Sequence, residues 1–101
     1  MDIFLLLNSR VEYNMHNSMV DTKKMLDALQ VADYLIFKAR EKGEPITNKR
    51  LQKLLYYVQA WSVAVRNERV FNNKIEAWIH GPAIKEVYLE YKKFGSDPIS
   101  K

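Results

Sequence analysis

The stretch from Asn48 to about Arg66 constrains this chain more than any other. It holds no glycine or proline, and Leu51, Leu54, Leu55, Val58, Trp61 and Val65 recur at three- and four-residue steps. That spacing puts them on one face of an α-helix, because positions three and four apart stack along the helix surface. Ala60, Val63 and Ala64 broaden the stripe, so the expectation is a central helix covered on more than one side. Lys49, Arg50, Lys53 and Gln59 are assigned to its outward face. Thr47 offers a hydroxyl to the open N–H groups of the first turn. Arg50 stands three residues later where a Glu or Gln would be needed, so no reciprocal capping box is expected here.

Shorter elements must bury that apolar face. Residues 25–42 read as one of them: Ala28, Ala32, Leu35, Ile36 and Ala39 follow helical steps, with Leu29 widening the stripe. Asp27 or Thr22 is the expected cap, and Asp33, Lys38, Arg40 and Glu41 face away. Lys42-Gly43 followed by Pro45 is a stop signal, since glycine accepts a left-handed backbone and proline cannot continue the helix. After the central helix, residues 67–74 read as a connection with Val70 and Phe71 tucked inward. Ile75, Ala77 and Ile79 then alternate with Glu76, Trp78 and His80, which predicts a short extended segment. Gly81-Pro82 is expected to end it, with Pro82 opening the next helix. Ile84, Val87, Tyr88 and Tyr91 mark that helix to about Phe94, and Gly95 stops it. The predicted fold is mainly α: a small helical bundle with a short extended β segment before a Gly-Pro turn. At 101 residues this is one domain with a modest core.

The N-terminus has a different character. Ile3-Phe4-Leu5-Leu6-Leu7 is far shorter than the about 20 apolar residues that span a bilayer. Asp2 precedes the run and Asn8-Ser9-Arg10 follows it, the wrong flanks for a secretory signal. The expectation is a cytoplasmic protein with no membrane association. Residues 1–24 are read as an N-terminal extension, disordered or upstream of a natural start at Met19 or Met25.

Catalytic patterns are scarce. The chain has no cysteine and two histidines, His16 and His80. Disulfides, thiolate metal sites and cysteine nucleophiles are thereby excluded, and no zinc-ligand spacing is present. No serine sits in a nucleophile elbow, and the three glycines are too scattered for a phosphate loop. Glu86 and Glu90 lie four apart on the solvated side of the last helix. His80, beside Gly81-Pro82, has the position of a packing or hydrogen-bonding turn residue more than that of a general base. The expectation is no enzyme, no cofactor and no metal.

Basic residues number 16 against 12 acids, a net charge of +4. This permits an acidic partner without demanding one. Lys49, Arg50 and Lys53 share the first turns of the central helix after a short connection, as in a helix-turn-helix. That helix is apolar nearly all round beyond its first two turns, so a solvated charged face is the plainer account. Tyr56, Tyr57, Trp61, Trp78, Tyr88 and Tyr91 suit a core with polar tips reaching the surface, or a binding surface, where Tyr and Trp dominate. The residues alone leave both readings open.

Two motifs go further. Ile46-Thr47-Asn48-Lys49-Arg50-Leu51-Gln52-Lys53-Leu54-Leu55-Tyr56-Tyr57 is followed by Glu76-Ala77-Trp78-Ile79-His80-Gly81-Pro82, then Val87-Tyr88 and Tyr91-Lys92-Lys93-Phe94-Gly95. Together they resemble the Panacea domain, the SocA-like antitoxin or phage-associated GepA family, over about residues 26–99. The resemblance implies a bacterial or prophage-encoded antitoxin, a helical domain at residues 25–101 that neutralises a cognate toxin by binding it. It also implies further helices beyond the Lys-Lys-x-Gly region, so a C-terminally truncated member is expected, with a homodimer or the toxin covering open apolar surface. Leu51, Leu54, Gly81 and Pro82 match the motif as structural positions. Gln52, Lys53, Tyr56, Trp78, His80 and Tyr88 are the expected partner-binding residues. The alternatives are an adaptor that delivers a toxin to a ClpXP-type protease, and a phage regulator that binds nucleic acid through Lys49, Arg50 and Lys53.

Overall fold

Asp27 caps the first helix of the described residues. A computed structural model describes residues 25–100, so the expectations for residues 1–24, Thr22 as a cap among them, lie outside the described residues. Helix α1 spans Ala28–Glu41. The Asp27 carboxylate accepts from the Leu29 N–H at 2.9 Å, and the Gln30 side-chain carbonyl accepts from the Asp27 N–H at 2.7 Å. This reciprocal box satisfies donors that a helix start leaves open. At the other end Gly43 takes a φ of +72°. The Glu44 N–H then donates to the Ala39 carbonyl at 2.8 Å and the Gly43 N–H to the Arg40 carbonyl at 3.0 Å, the paired closing bonds of a Schellman end.

Helix α2 spans Asn48–Arg66. The Thr47 hydroxyl accepts from the Arg50 N–H at 3.2 Å. Asn67, one of the few side chains that tolerates a left-handed backbone, ends the helix at φ +57°. Leu51, Leu54, Leu55 and Val58 are buried as their spacing predicts. The broad apolar wrap is not: Ala60, Val63, Ala64 and Val65 are exposed, and Trp61 is half-buried. The inward positions between the leucines belong instead to Asn48, Gln52 and Ser62, all buried. Helix α2 is therefore covered on one side.

Gln59, assigned to the outer face, also turns inward. Its Oε1 accepts from the N–H groups of Val70 at 2.9 Å and Phe71 at 3.3 Å, and its Nε2 donates to the Phe71 carbonyl at 2.6 Å. One side-chain amide thus replaces a strand neighbour for the connecting loop. The loop in turn grips the start of α1: the Leu26 N–H donates to the Val70 carbonyl at 3.0 Å, and the Ala28 N–H donates to Asn73 Oδ1 at 2.9 Å. Val70 and Phe71 are buried, as expected.

The extended segment is half of a hairpin. Strand β1, Glu76–Trp78, pairs antiparallel with β2, Gly81–Ala83, with Trp78 opposite Gly81 and Glu76 opposite Ala83. Gly81-Pro82 therefore does not end the extended piece or open the next helix; the chain reverses at Ile79-His80 and Gly81-Pro82 begins the return strand. Gly81 makes this possible. Its φ of +121° is open to glycine and strained for other residues, and it lets the turn close while Ile79 and His80 keep negative φ. Pro82 lacks an N–H, which a two-stranded sheet tolerates because each strand has an open edge. Ile79, the apolar end of the predicted alternation, sits at the turn and is 95% exposed.

Helix α3 spans Lys85–Tyr91, and the last turn of the predicted helix tightens to a 3-10 turn at Lys92–Phe94 before Gly95. The protein is mainly α: the described residues form three helices and a small two-stranded antiparallel sheet. All three helices pack around Leu35, Leu51, Leu55, Val58, Val87 and Tyr91, with Phe71 and Ile99 supplied by loops. The Tyr91 hydroxyl donates to the Asp33 carboxylate, joining α3 to α1. Ile99, buried, donates its N–H to the Ile46 carbonyl at 2.8 Å and so ties the C-terminal turn to the start of α2.

Gln59→Leu keeps the size of the side chain but leaves two N–H groups and a carbonyl of the loop without their partner. It should lower stability by about 2 kcal/mol in urea unfolding, since buried backbone groups left unpaired carry the full desolvation cost. A variant as stable as the parent would show that the loop holds itself.

Candidate functional site

Lys49, Arg50 and Lys53 lie in the first two turns of α2 and are exposed. Nothing acidic stands among them: the nineteen residues of α2 contain no Asp or Glu. Cations at a helix start oppose the positive end of the helix dipole, so this arrangement is not explained by helix stability. Lys49 and Lys53 are one turn apart and share a face. Tyr56 and Tyr57 follow on the same outer side, 42% and 46% exposed, with ring centroids 5.8 Å apart.

The hairpin lies against α2 on another side. Its β2 strand packs on α2, and α3 follows directly from it. Trp78 and Tyr88 meet edge to face, centroids 5.0 Å apart and planes at 78°. The Trp78 indole N–H donates to Glu76 Oε1 at 3.2 Å. Both rings are half-buried, which leaves part of each at the surface. His80 is exposed at the turn beside Ile79.

Gln52 corrects the expectation placed on it. It is 5% exposed, and its amide is used internally. Gln52 Nε2 donates to Asn48 Oδ1 at 3.0 Å, while Gln52 Oε1 accepts from the Ile84 N–H at 2.8 Å. Asn48 Nδ2 passes the chain on to the Tyr88 carbonyl at 3.1 Å. A residue enclosed in this way fastens α2 to the junction between β2 and α3 and has no surface to offer a partner. Of the other expected residues, Lys53, Tyr56 and His80 are exposed, and Trp78 and Tyr88 are joined to each other. The structure thus divides the set between the outer face of α2 and the hairpin with α3.

Sequence reasoning missed Asn48, whose spacing of four from Gln52 is the one available signal: two amides on the inward side of a helix otherwise lined by leucine. It also missed Gln59, for which a single polar residue gives no such signal. Among the described residues, no three His, Asp or Glu side chains converge as a metal site would require. A groove of about 570 Å³ runs along α1, lined by Asp33, Ile36, Phe37, Arg40 and Glu41. Neither expected set of site residues contributes to it. No helix among the described residues is long and apolar enough to cross a membrane.

The class of protein that carries this arrangement is given by comparison. The family model for the SocA-like antitoxin Panacea domain matches residues 51–101, from the buried leucines of α2 through the hairpin and α3, and the chain belongs to that family. Antitoxin SocA of Caulobacter vibrioides (strain NA1000 / CB15N) is 38% identical over 63 residues, which are 62% of this chain and 34% of that protein. The chain accordingly spans about a third of the length of this curated relative. No solved structure matches.

Gln52→Leu should destabilise the domain by about 2–4 kcal/mol, because it strips partners from the Ile84 N–H and from Asn48 inside the fold. Lys53→Ala, one position along the helix but exposed, should stay within about 0.5 kcal/mol. Urea unfolding of the two variants separates the internal fastener from the surface residue, and equal losses would contradict the assignment.

Proposed function

We propose that this protein is the antitoxin of a toxin-antitoxin system, carried by a bacterium or prophage, and that it acts by binding its toxin directly and occluding it. Membership in the SocA-like antitoxin family supports the role. The observation that carries direct binding is the exposed aromatic and aliphatic surface on elements that are otherwise firmly fastened. Tyr56 on α2 and the Trp78–Tyr88 pair at the hairpin offer rigid, amphipathic rings of the kind that dominate protein interfaces. Lys53 and His80 stand beside them as rim residues that steer an acidic surface. The action is non-catalytic and takes place in the cytoplasm.

Delivery of the toxin to a ClpXP-type protease is the second reading, favoured by the division of the exposed residues between two surfaces, one for cargo and one for the unfoldase. Binding of nucleic acid by Lys49, Arg50 and Lys53 ranks below both, since the same helix face continues into tyrosine and valine.

Expression of the neighbouring reading frame in a bacterial host should arrest growth, and co-expression of this chain should restore it. The two proteins should copurify. Restoration should persist in a host without ClpXP; rescue that vanishes there would replace occlusion by delivery. A neighbour that is harmless alone, or that kills regardless of this chain, would refute the antitoxin reading.

A further inference from the structure

Neither the core nor the hairpin uses the outer face of α2. At 3.6 residues per turn, Lys49, Lys53, Tyr56, Ala60 and Val63 fall within one narrow stripe, and all five are exposed. From Lys49 to Val63 the stripe is about 21 Å long at 1.5 Å per residue. Its chemistry changes along the axis. The first half is cationic, and the second half is aromatic and aliphatic, with Tyr57 along its edge.

We infer that this stripe seats an acidic amphipathic helix of the toxin, with carboxylates over Lys49 and Lys53 and apolar side chains against Tyr56, Ala60 and Val63. The inference rests on the antitoxin reading and names the partner element for it. Charge selects the occupant. A second copy of α2 laid parallel would set lysine against lysine. Laid antiparallel, it would bring lysines over the valine end, and α2 has no acid to answer them. A nucleic-acid backbone would answer the lysines and leave Val63 and Ala60 facing phosphate instead of apolar surface. A helix with acids at one end and an apolar stripe along the rest meets both halves. Ala60 sits between Tyr56 and Val63, and its small side chain allows a partner axis to approach toward the short end of the about 8–10 Å typical of packed helices.

The test uses the full chain and the neighbouring frame's product, with affinity measured by calorimetry. Tyr56→Ala combined with Val63→Ser should weaken binding by about 30-fold or more, the loss that marks a hot spot. Lys49→Glu with Lys53→Glu should weaken it by about tenfold at low salt and by less at high salt, as screening removes the attraction. Phe37→Ala, which removes a 58% exposed ring on the outer side of α1, should leave affinity unchanged. All four positions other than Phe37 are exposed on α2, so thermal melts should confirm that the variants fold. A photo-crosslinker replacing Tyr56 should join to an acidic helical segment of the toxin. Crosslinks to a second copy, to residues 1–24 of the same chain or to nucleic acid would overturn the inference. So would parental affinity in both α2 double variants, which leaves the antitoxin reading standing. If the parent chain itself does not bind, the antitoxin reading falls and the inference falls with it.

Discussion

Polar side chains on the inward face of α2 hold this fold in register. Asn48 reaches the Tyr88 carbonyl, Gln52 the Ile84 N–H, Gln59 the backbone of Val70 and Phe71, and Ser62 donates its hydroxyl to the Glu68 carbonyl at 2.7 Å. Two parts of the chain, the loop after α2 and the junction of β2 with α3, are thus given hydrogen-bond partners by one helix. Apolar contact alone is non-directional and would let the loop, hairpin and α3 slide over the leucines. Directed bonds, buried at Gln52 and part-buried at Asn48, Gln59 and Ser62, specify one arrangement, and leaving any of them half-made is costly. The leucines supply the cohesion and the amides supply the geometry.

This division of labour shapes the surface. Because the inner face of α2 carries both the core and the fasteners, its outer face carries neither. Lys49, Lys53, Tyr56 and Val63 there are exposed and stand outside the core. The hairpin is supported in the same indirect way: Trp78 leans on Tyr88, Tyr88 lends its carbonyl to Asn48, and the turn at Ile79-His80 stands out from the body. A scaffold held by internal amides can present two rigid surfaces without loops that must order on contact, which lowers the entropic cost of binding. The family assignment covers this same portion, residues 51–101, while the chain spans about a third of Antitoxin SocA.

Much of the fold was legible in the residues. The positions of α1 and α2 follow from apolar spacing, from Asp27 and Thr47 as caps, and from Gly43 as a stop. These signals are local, acting over one or two turns, and local signals survive being read without the rest of the chain. The mainly α class and the inward Val70-Phe71 followed for the same reason. The hairpin was half visible. Period-two alternation located β1, but Gly81-Pro82 suits both a helix entrance and a return strand, and choosing between them depends on Gly81's positive φ and on which strand faces α2.

What the sequence by itself determined is therefore the set of described helices, the ends of α1 and α2, and the family motif. Tertiary structure alone decided which polar residues are enclosed and which apolar ones are not. Gln52 and Gln59 carry the same side chain as any surface glutamine. Only the arrival of the Ile84 N–H and the Val70-Phe71 backbone, from 32 and 11–12 residues away, turns them inward. Val63 and Ala60 are as apolar as core residues, yet no described element reaches their side of α2. Burial is a property of neighbours distant in the chain, and periodicity reports only the residue's own helix.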